Sequence, residues 1–170
     1  LLEHVLSQHL EGPLCNFEKI SMIPLSKPFL SGEELQWMEK VIREGKFSGD
    51  GKYTHYGEKQ LETLTGASRV LLTSSCTHAL EMAALLSGIQ AGDEVIMPSF
   101  NFVSAANAFA LRGARLCFVD IDPTALNLNV EAVAKAVNAK TKAILVLHYG
   151  GVSCQMEAIM KIAAQHQLIV

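Results

Sequence analysis

Residues 69–86 read RVLLTSSCTHALEMAALL. An apolar run, Val70-Leu71-Leu72, meets four small or polar residues, Thr73-Ser74-Ser75-Cys76, and after Thr77 the chain is apolar enough for a buried helix. The pattern predicts a strand over 69–73 that turns at once into a helix over 77–88. The first N–H groups of a helix lack intrahelical partners, and the helix dipole places partial positive charge there. A strand that enters a helix through hydroxyl residues is therefore suited to bind an anion such as a phosphate. A Ser or Thr that caps its own helix explains the same hydroxyls. Taken alone, the turn fits both readings.

The chain alternates outward from this turn. Short runs dense in Val, Ile, Leu or Phe predict further strands at 94–97, 115–119 and 143–147. Helices are predicted between and after them at 103–112, 129–138 and 156–166, with Val130, Val133 and Val137 marking one buried face. Leu168-Ile169-Val170 reads as the start of another strand. Continuous apolar strands alternating with helices mean an α/β fold, a mostly parallel sheet with helices on both faces. Ligands of such sheets bind beyond the carboxyl ends of the strands. The residues to weigh there are 74–77, the stretch Pro98-Ser99-Phe100-Asn101-Phe102-Val103-Ser104, the pair Asp120 and Asp122, and His148-Tyr149-Gly150-Gly151.

Upstream, residues 22–66 form an N-terminal helical segment. Ser31 followed by Glu34 is a capping box; Leu35, Met38 and Ile42 share one helix face, and Gly45 ends it. A polar, Gly-rich loop at 46–51 leads to a weaker helix over about 54–65. Residues 1–21 differ in character and read as an extension of unknown role, with Met22 an internal start or residues 1–10 a short helix. Residues 67–170 read as the first part of a larger domain.

Composition narrows the function. The 170 residues carry a formal charge of −3, with 49% hydrophobic and 18% charged side chains. That is the profile of a globular protein, and no basic block suggests a nucleic-acid partner. Cys15, Cys76, Cys117 and Cys154 form no Cys-x-x-Cys pair, which argues against a metal site and for a reducing compartment. No apolar run reaches the ~20 residues that span a bilayer, and no secretion signal is evident. The expected setting is cytoplasmic. The dinucleotide fingerprint G-x-G-x-x-G and the P-loop pattern are both absent from the strand–helix junctions. A hydroxyl-rich turn with an aromatic residue on the adjacent turn suits instead a flat, phosphorylated, aromatic cofactor.

Four ordered segments then carry a resemblance: LLTSSCTHALEMAALL, GDEVIMPSFNFVSAANAFALRGA, FVDIDPTALNLNVEAVAKAV and TKAILVLHYGGVSCQMEAI. Together with LSKPFLSGEELQWMEKVIREGKFSGDGKYT, they resemble the DegT-type nucleotide-sugar aminotransferases across residues 23–170. The resemblance implies the large domain of the aspartate-aminotransferase fold (fold type I), pyridoxal 5'-phosphate as cofactor, and a homodimer. It implies a nucleotide-linked 4-keto-6-deoxy sugar as substrate and an amino-acid donor, glutamate. By the same resemblance Ser75, Cys76 and Thr77 hold the cofactor phosphate, with His78 contributing through its backbone. Phe102 stacks on the pyridine ring, and His148 stands near the cofactor's phenolic edge. The Schiff-base lysine is expected well downstream of His148, and the aspartate that pairs with the pyridine nitrogen a few residues past Val170. The 170 residues are thus expected to be an N-terminal fragment that does not turn over alone. A dehydratase of the same fold, with histidine in place of that lysine, and a non-catalytic nucleotide-binding or assembly module are the rival readings.

Several residues keep a plainer reading beside the functional one. Cys76 is a nucleophile at a helix start or a small residue under the phosphate. Asp120 and Asp122, followed by Pro123, are an acid/base pair or a turn and cap. His148 is a base or a hydrogen-bonded strand-end histidine, Phe102 a stacking ring or core, and Trp37 packing or a dimer contact.

Overall fold

The computed structural model describes residue 24 and residues 26–170, so the readings of residues 1–21 lie outside the described residues. The chain divides into two compact units, Leu1–Gly51 and Lys52–Val170.

In the first unit, α1 spans Glu34–Glu44. The Glu34 carboxylate folds back to accept the N–H groups of Ser31 at 2.6 Å and Gly32 at 2.9 Å. These bonds tie the turn before the helix as the Ser-x-x-Glu pattern predicts, although Ser31 Oγ accepts from Glu33 N–H at 3.2 Å, one residue earlier than in the standard box. Gly45 ends α1 in the left-handed region, φ 66°, and its N–H reaches the carbonyls of Val41 and Ile42.

The second unit is the sheet. Helices α2 (Lys52–Thr65) and α3 (Cys76–Leu86) precede β1 (Glu94–Pro98). Then come α4 (Val103–Ala110), β2 (Arg115–Val119), α5 (Val130–Ala136), β3 (Thr141–Ile144), a 3-10 turn at Tyr149–Gly151, and α6 (Met156–His166). The strands are parallel in the order β2-β1-β3. Ile169 bridges in parallel to Ala143, so the expected strand at 168–170 begins beside β3. The predicted strand at 143–147 is shifted to 141–144, yet Leu145 N–H still donates to Ile96 at 2.8 Å.

Burial of β1 shows why both sheet faces are covered. All five of its residues are buried, and alternate side chains enter different cores. Val95 and Met97 pack with Ala84, Ile89, Ala108 and Phe109, beneath α3 and α4. Ile96 packs on the other side with Val133, Ile144, Ile159 and Ala163, beneath α5 and α6. Period-two alternation into two apolar layers is what a continuous Glu-Val-Ile-Met-Pro strand does when neither face meets water.

One predicted strand is corrected. Residues 69–73 join no ladder among the described residues. Their backbone donors are taken by a helix instead: Val70 N–H bonds Glu62 Oε1 at 3.4 Å and Leu72 N–H bonds Glu58 Oε1 at 3.1 Å. Residues four apart on a helix rise about 6 Å, and two residues of extended chain advance about 6.6 Å. The spacings match, and α2 runs antiparallel to the segment.

Candidate functional site

The turn before α3 is held by its own hydroxyls. Ser75 is the N-cap, extended at φ −159°, ψ 159°, and its Oγ accepts from His78 N–H at 3.2 Å. The helix ladder starts one residue later, with Ala79 N–H on the Ser75 carbonyl at 3.1 Å. Thr73 Oγ1 donates to that same carbonyl at 2.8 Å. Ser74 Oγ lies 2.7 Å from His78 Nδ1. The cap therefore exists, and it does not exhaust the site. A hydroxyl that accepts one bond keeps its own proton to donate. The backbone N–H groups of Cys76 and Thr77, at the first two helical positions, lie outside the intrahelical ladder. This donor set, two backbone N–H groups and the hydroxyls of Ser75 and Thr77, has the chemistry a phosphate requires.

Two cavities bring the other candidates alongside. One, of about 360 Å³, is lined by Thr77, Glu81, Val103, Ser104 and Asn107 among others, so the first turns of α3 and α4 face one space. The next, of about 480 Å³, lies among Phe100, Asn101, Phe102, Leu147, His148 and Tyr149. They flank the Phe102–Val103 step. Thr77 thus shares a cavity with the residues after Phe102, and Phe102 shares one with His148.

Phe102 is the N-cap of α4 and is 72% exposed. Its ring belongs to neither buried cluster and lines the second cavity. Phe100 and Tyr149 form a tilted aromatic pair beside it, centroids 4.6 Å apart.

His148 has a defined hydrogen-bonding role. Its Nδ1 accepts the Cys154 N–H at 3.1 Å, and Cys154 Sγ donates to the Leu147 carbonyl at 3.1 Å. An imidazole that accepts at Nδ1 is neutral and carries its proton on Nε2. The strand-end reading of His148 is the one these bonds support. What it offers a ligand is a donor, not the lone pair of a base.

Other plain readings also hold. Asp122 Oδ1 accepts the N–H groups of Thr124 at 2.8 Å and Ala125 at 2.9 Å. Those bonds, from Ala125 first and then Thr124, hold its carboxyl below the ordinary aspartate range. It is a turn residue. The His78 ring is directed to Ser74, so Cys76 gains no imidazole from it. Among the described residues no group of His, Cys, Asp and Glu could hold a metal ion, and no helix is long and apolar enough to cross a membrane.

Three residues to which the sequence assigns no role shape the site. Asn127 is buried; its Oδ1 accepts Tyr149 N–H at 3.0 Å, and its Nδ2 donates to the carbonyls of Val152 and Ser153 at 3.0 and 3.1 Å. It fixes the loop that carries His148 and Tyr149. Asn101 Oδ1 accepts Phe102 N–H at 2.7 Å, which orients the amide and leaves its buried Nδ2 without a partner among the described residues. Glu58 holds Leu72, as above. A lone Asn between leucines, Leu126-Asn127-Leu128, was the one available hint.

Residues 28–170 match the model of the DegT/DnrJ/EryC1/StrS aminotransferase family. The spore coat polysaccharide biosynthesis protein SpsC of Bacillus subtilis is 37% identical over 148 residues, 87% of this chain and 38% of that protein. GDP-perosamine synthase of Vibrio cholerae is 33% identical over 147 residues, 86% of this chain and 40% of that protein. The chain thus spans about two fifths of the length of these relatives. Among solved structures, the aminotransferase TlmJ of Streptoalloteichus hindustanus superposes with a TM-score of 0.81 at 38% identity, covering 86% of this chain and 40% of that one. GDP-4-keto-6-deoxy-D-mannose-3-dehydratase of E. coli, solved with bound hydrated pyridoxal phosphate, gives 0.81 at 25% identity, covering 86% and 39%.

Proposed function

Because this chain belongs to the DegT/DnrJ/EryC1/StrS aminotransferase family, with the fold of the type I pyridoxal-phosphate enzymes, we propose that it contributes the phosphate-binding and ring-facing part of a nucleotide-sugar aminotransferase. The cofactor is pyridoxal 5'-phosphate; the donor is glutamate, and the acceptor a nucleotide-linked 4-keto-6-deoxy sugar that leaves as the 4-amino sugar. GDP-perosamine synthase among the relatives supports an amino sugar as product. Within the family the motifs most resemble the dTDP-4-amino-4,6-dideoxygalactose transaminase of enterobacterial common antigen synthesis. The enzyme works in the cytoplasm as a homodimer.

The observation that carries this reading is the turn at Ser75. Its cap satisfies one helix donor and leaves the N–H groups of Cys76 and Thr77 outside the ladder. Bound there, pyridoxal phosphate supplies an electron-accepting ring for moving an amino group. The protein's own tasks are positional. Ser75, Cys76 and Thr77, with the backbone of His78, anchor the phosphate, so the ring is located before chemistry starts. Phe102 covers one face of the ring and excludes water from it. His148, its Nδ1 engaged by the Cys154 N–H, would offer the cofactor an Nε2 proton as a hydrogen-bond donor and would not act as a base.

The complete protein, incubated with pyridoxal phosphate, glutamate and the keto sugar, is expected to yield 2-oxoglutarate and an amino sugar. Seeing neither product with any nucleotide-linked keto sugar would sink the proposal. The dehydratase is the second reading, favoured by the superposition on the E. coli enzyme. It predicts a deoxygenated sugar that retains no nitrogen, which mass spectrometry of the product distinguishes.

A further inference from the structure

Helix α2 grips the segment that enters the phosphate turn. Glu58 is 8% exposed, although it is a carboxylate. Burial of such a group requires partners for its oxygens. Oε1 takes the Leu72 N–H at 3.1 Å, and Oε2 meets His55 Nδ1 at 3.2 Å. One turn further along, Glu62 takes the Val70 N–H at 3.4 Å, and its other oxygen takes Lys59 Nζ at 3.1 Å. The helix lies close: a Cβ on Gly57 would come to 3.0 Å from Leu72 Cδ1.

These bonds lead to the cradle in a few steps. Leu72 is three residues before Ser75, and Thr73, between them, is tied to the Ser75 carbonyl by its hydroxyl at 2.8 Å. No strand of the described chain fixes residues 69–73. Among the described residues the Glu58 carboxylate is therefore the last long-range polar anchor before the cap. We propose that Glu58 is a positioning residue for the cofactor: by holding Leu72 it sets where Ser75 and the N–H groups of Cys76 and Thr77 stand. This rests on the reading of that turn as the cofactor's phosphate cradle. Glu58 touches neither phosphate nor substrate and acts only through the backbone. Glu62 does the same two residues further away, with less leverage on the turn.

The test uses the complete protein as apoenzyme, with cofactor affinity read from an absorbance titration and the Leu72 amide followed by hydrogen exchange. Glu58→Ala is expected to weaken pyridoxal phosphate binding by about 10- to 100-fold, the range seen when groups that orient a ligand set are removed. Its Leu72 amide exchanges faster. Glu58→Gln keeps an acceptor oxygen and should bind within about threefold of wild type, while Glu62→Ala falls between Glu58→Ala and wild type (acceptor geometry and not charge being what matters). If Glu58→Ala gives no folded apoprotein, Glu58→Asp replaces it; its carboxylate is one methylene short of Leu72, and the same loss is expected. Wild-type affinity in Glu58→Ala or Glu58→Asp with faster Leu72 exchange overturns the proposal alone, as does a Glu58→Gln that binds as weakly as Glu58→Ala. Wild-type protein that takes up no pyridoxal phosphate overturns the cradle reading together with it.

Discussion

Replacing Ser75 separates a helix cap from a phosphate ligand, because alanine and glycine differ as caps but not as donors. In the folded chain Ser75 Oγ accepts the His78 N–H at 3.2 Å. Losing that cap to alanine typically costs about 1 kcal/mol, while glycine at the same position costs only a few tenths. For a protein of 150–250 residues 1 kcal/mol moves the unfolding midpoint by roughly 2–4 °C, and for a longer one by less. Apoprotein carrying Ser75→Ala should therefore melt a few degrees low, and Ser75→Gly should melt close to wild type. The hydroxyl proton is a separate quantity. A hydrogen bond to a charged group is worth about 1.5–3 kcal/mol net, and each 1.4 kcal/mol is about tenfold in affinity. Both variants should thus weaken pyridoxal phosphate binding by about 10- to 150-fold, measured by titrating the complete apoprotein and following the cofactor's absorbance. Glycine is the informative substitution, since it leaves the helix nearly intact while removing the donor. A Ser75→Gly protein that binds the cofactor as tightly as wild type would refute the cradle and leave Ser75 as a cap alone.

Three further perturbations probe the neighbouring residues. His148→Asn retains an acceptor near the place of Nδ1, whereas His148→Gln retains a donor near the place of Nε2; with Nδ1 on Cys154 N–H, Asn should preserve stability and Gln should preserve cofactor affinity. One variant preserving both, or neither preserving either, would contradict the division of roles. Phe102, 72% exposed, should be replaceable by alanine with an apoprotein stability change within about 0.5 kcal/mol, as at other surface positions. Cofactor affinity in Phe102→Ala should fall and Phe102→Trp should restore it; a large loss of apoprotein stability would instead return Phe102 to the core. Asp122 has a depressed carboxyl pKa in the folded state, caused by the Ala125 and Thr124 N–H groups. Its charged form therefore stabilises the fold above the unfolded value and loses that contribution as pH falls through the folded one. The stability gap between wild type and Asp122→Asn should be present at pH 7 and close as pH falls below about 3.8, the ordinary aspartate value; a gap that widens in acid would reverse the sign of the argument.

What the sequence conveyed and what it hid differ by the range of the interactions concerned. Both faces of β1 are legible because Val95-Ile96-Met97-Pro98 is a continuous apolar run, and the start of the helix after Ser75 is legible because Ser75 caps within three residues of itself. Local rules govern such features, so a local pattern records them. The segment at 69–73 departs from its pattern for the opposite reason. Its composition is that of a strand, but strand pairing depends on a neighbour, and here the neighbour is Glu58, fourteen residues away on a helix. Nothing in a Glu on an amphipathic helix distinguishes one that faces water from one that accepts a strand's N–H. The role of Asn127 is equally non-local, since its partners Val152 and Ser153 lie 25 and 26 residues on. The candidate cofactor residues follow the same division. Hydroxyls at a helix start announce a cradle, whereas the groups that hold the cradle and the His148 loop in place are ordinary polar residues made specific only by the fold. It follows that substitutions at Glu58 should resemble defects of the cofactor site while lying outside every motif that points to it, and those at Asn127 should do so through the loop it holds.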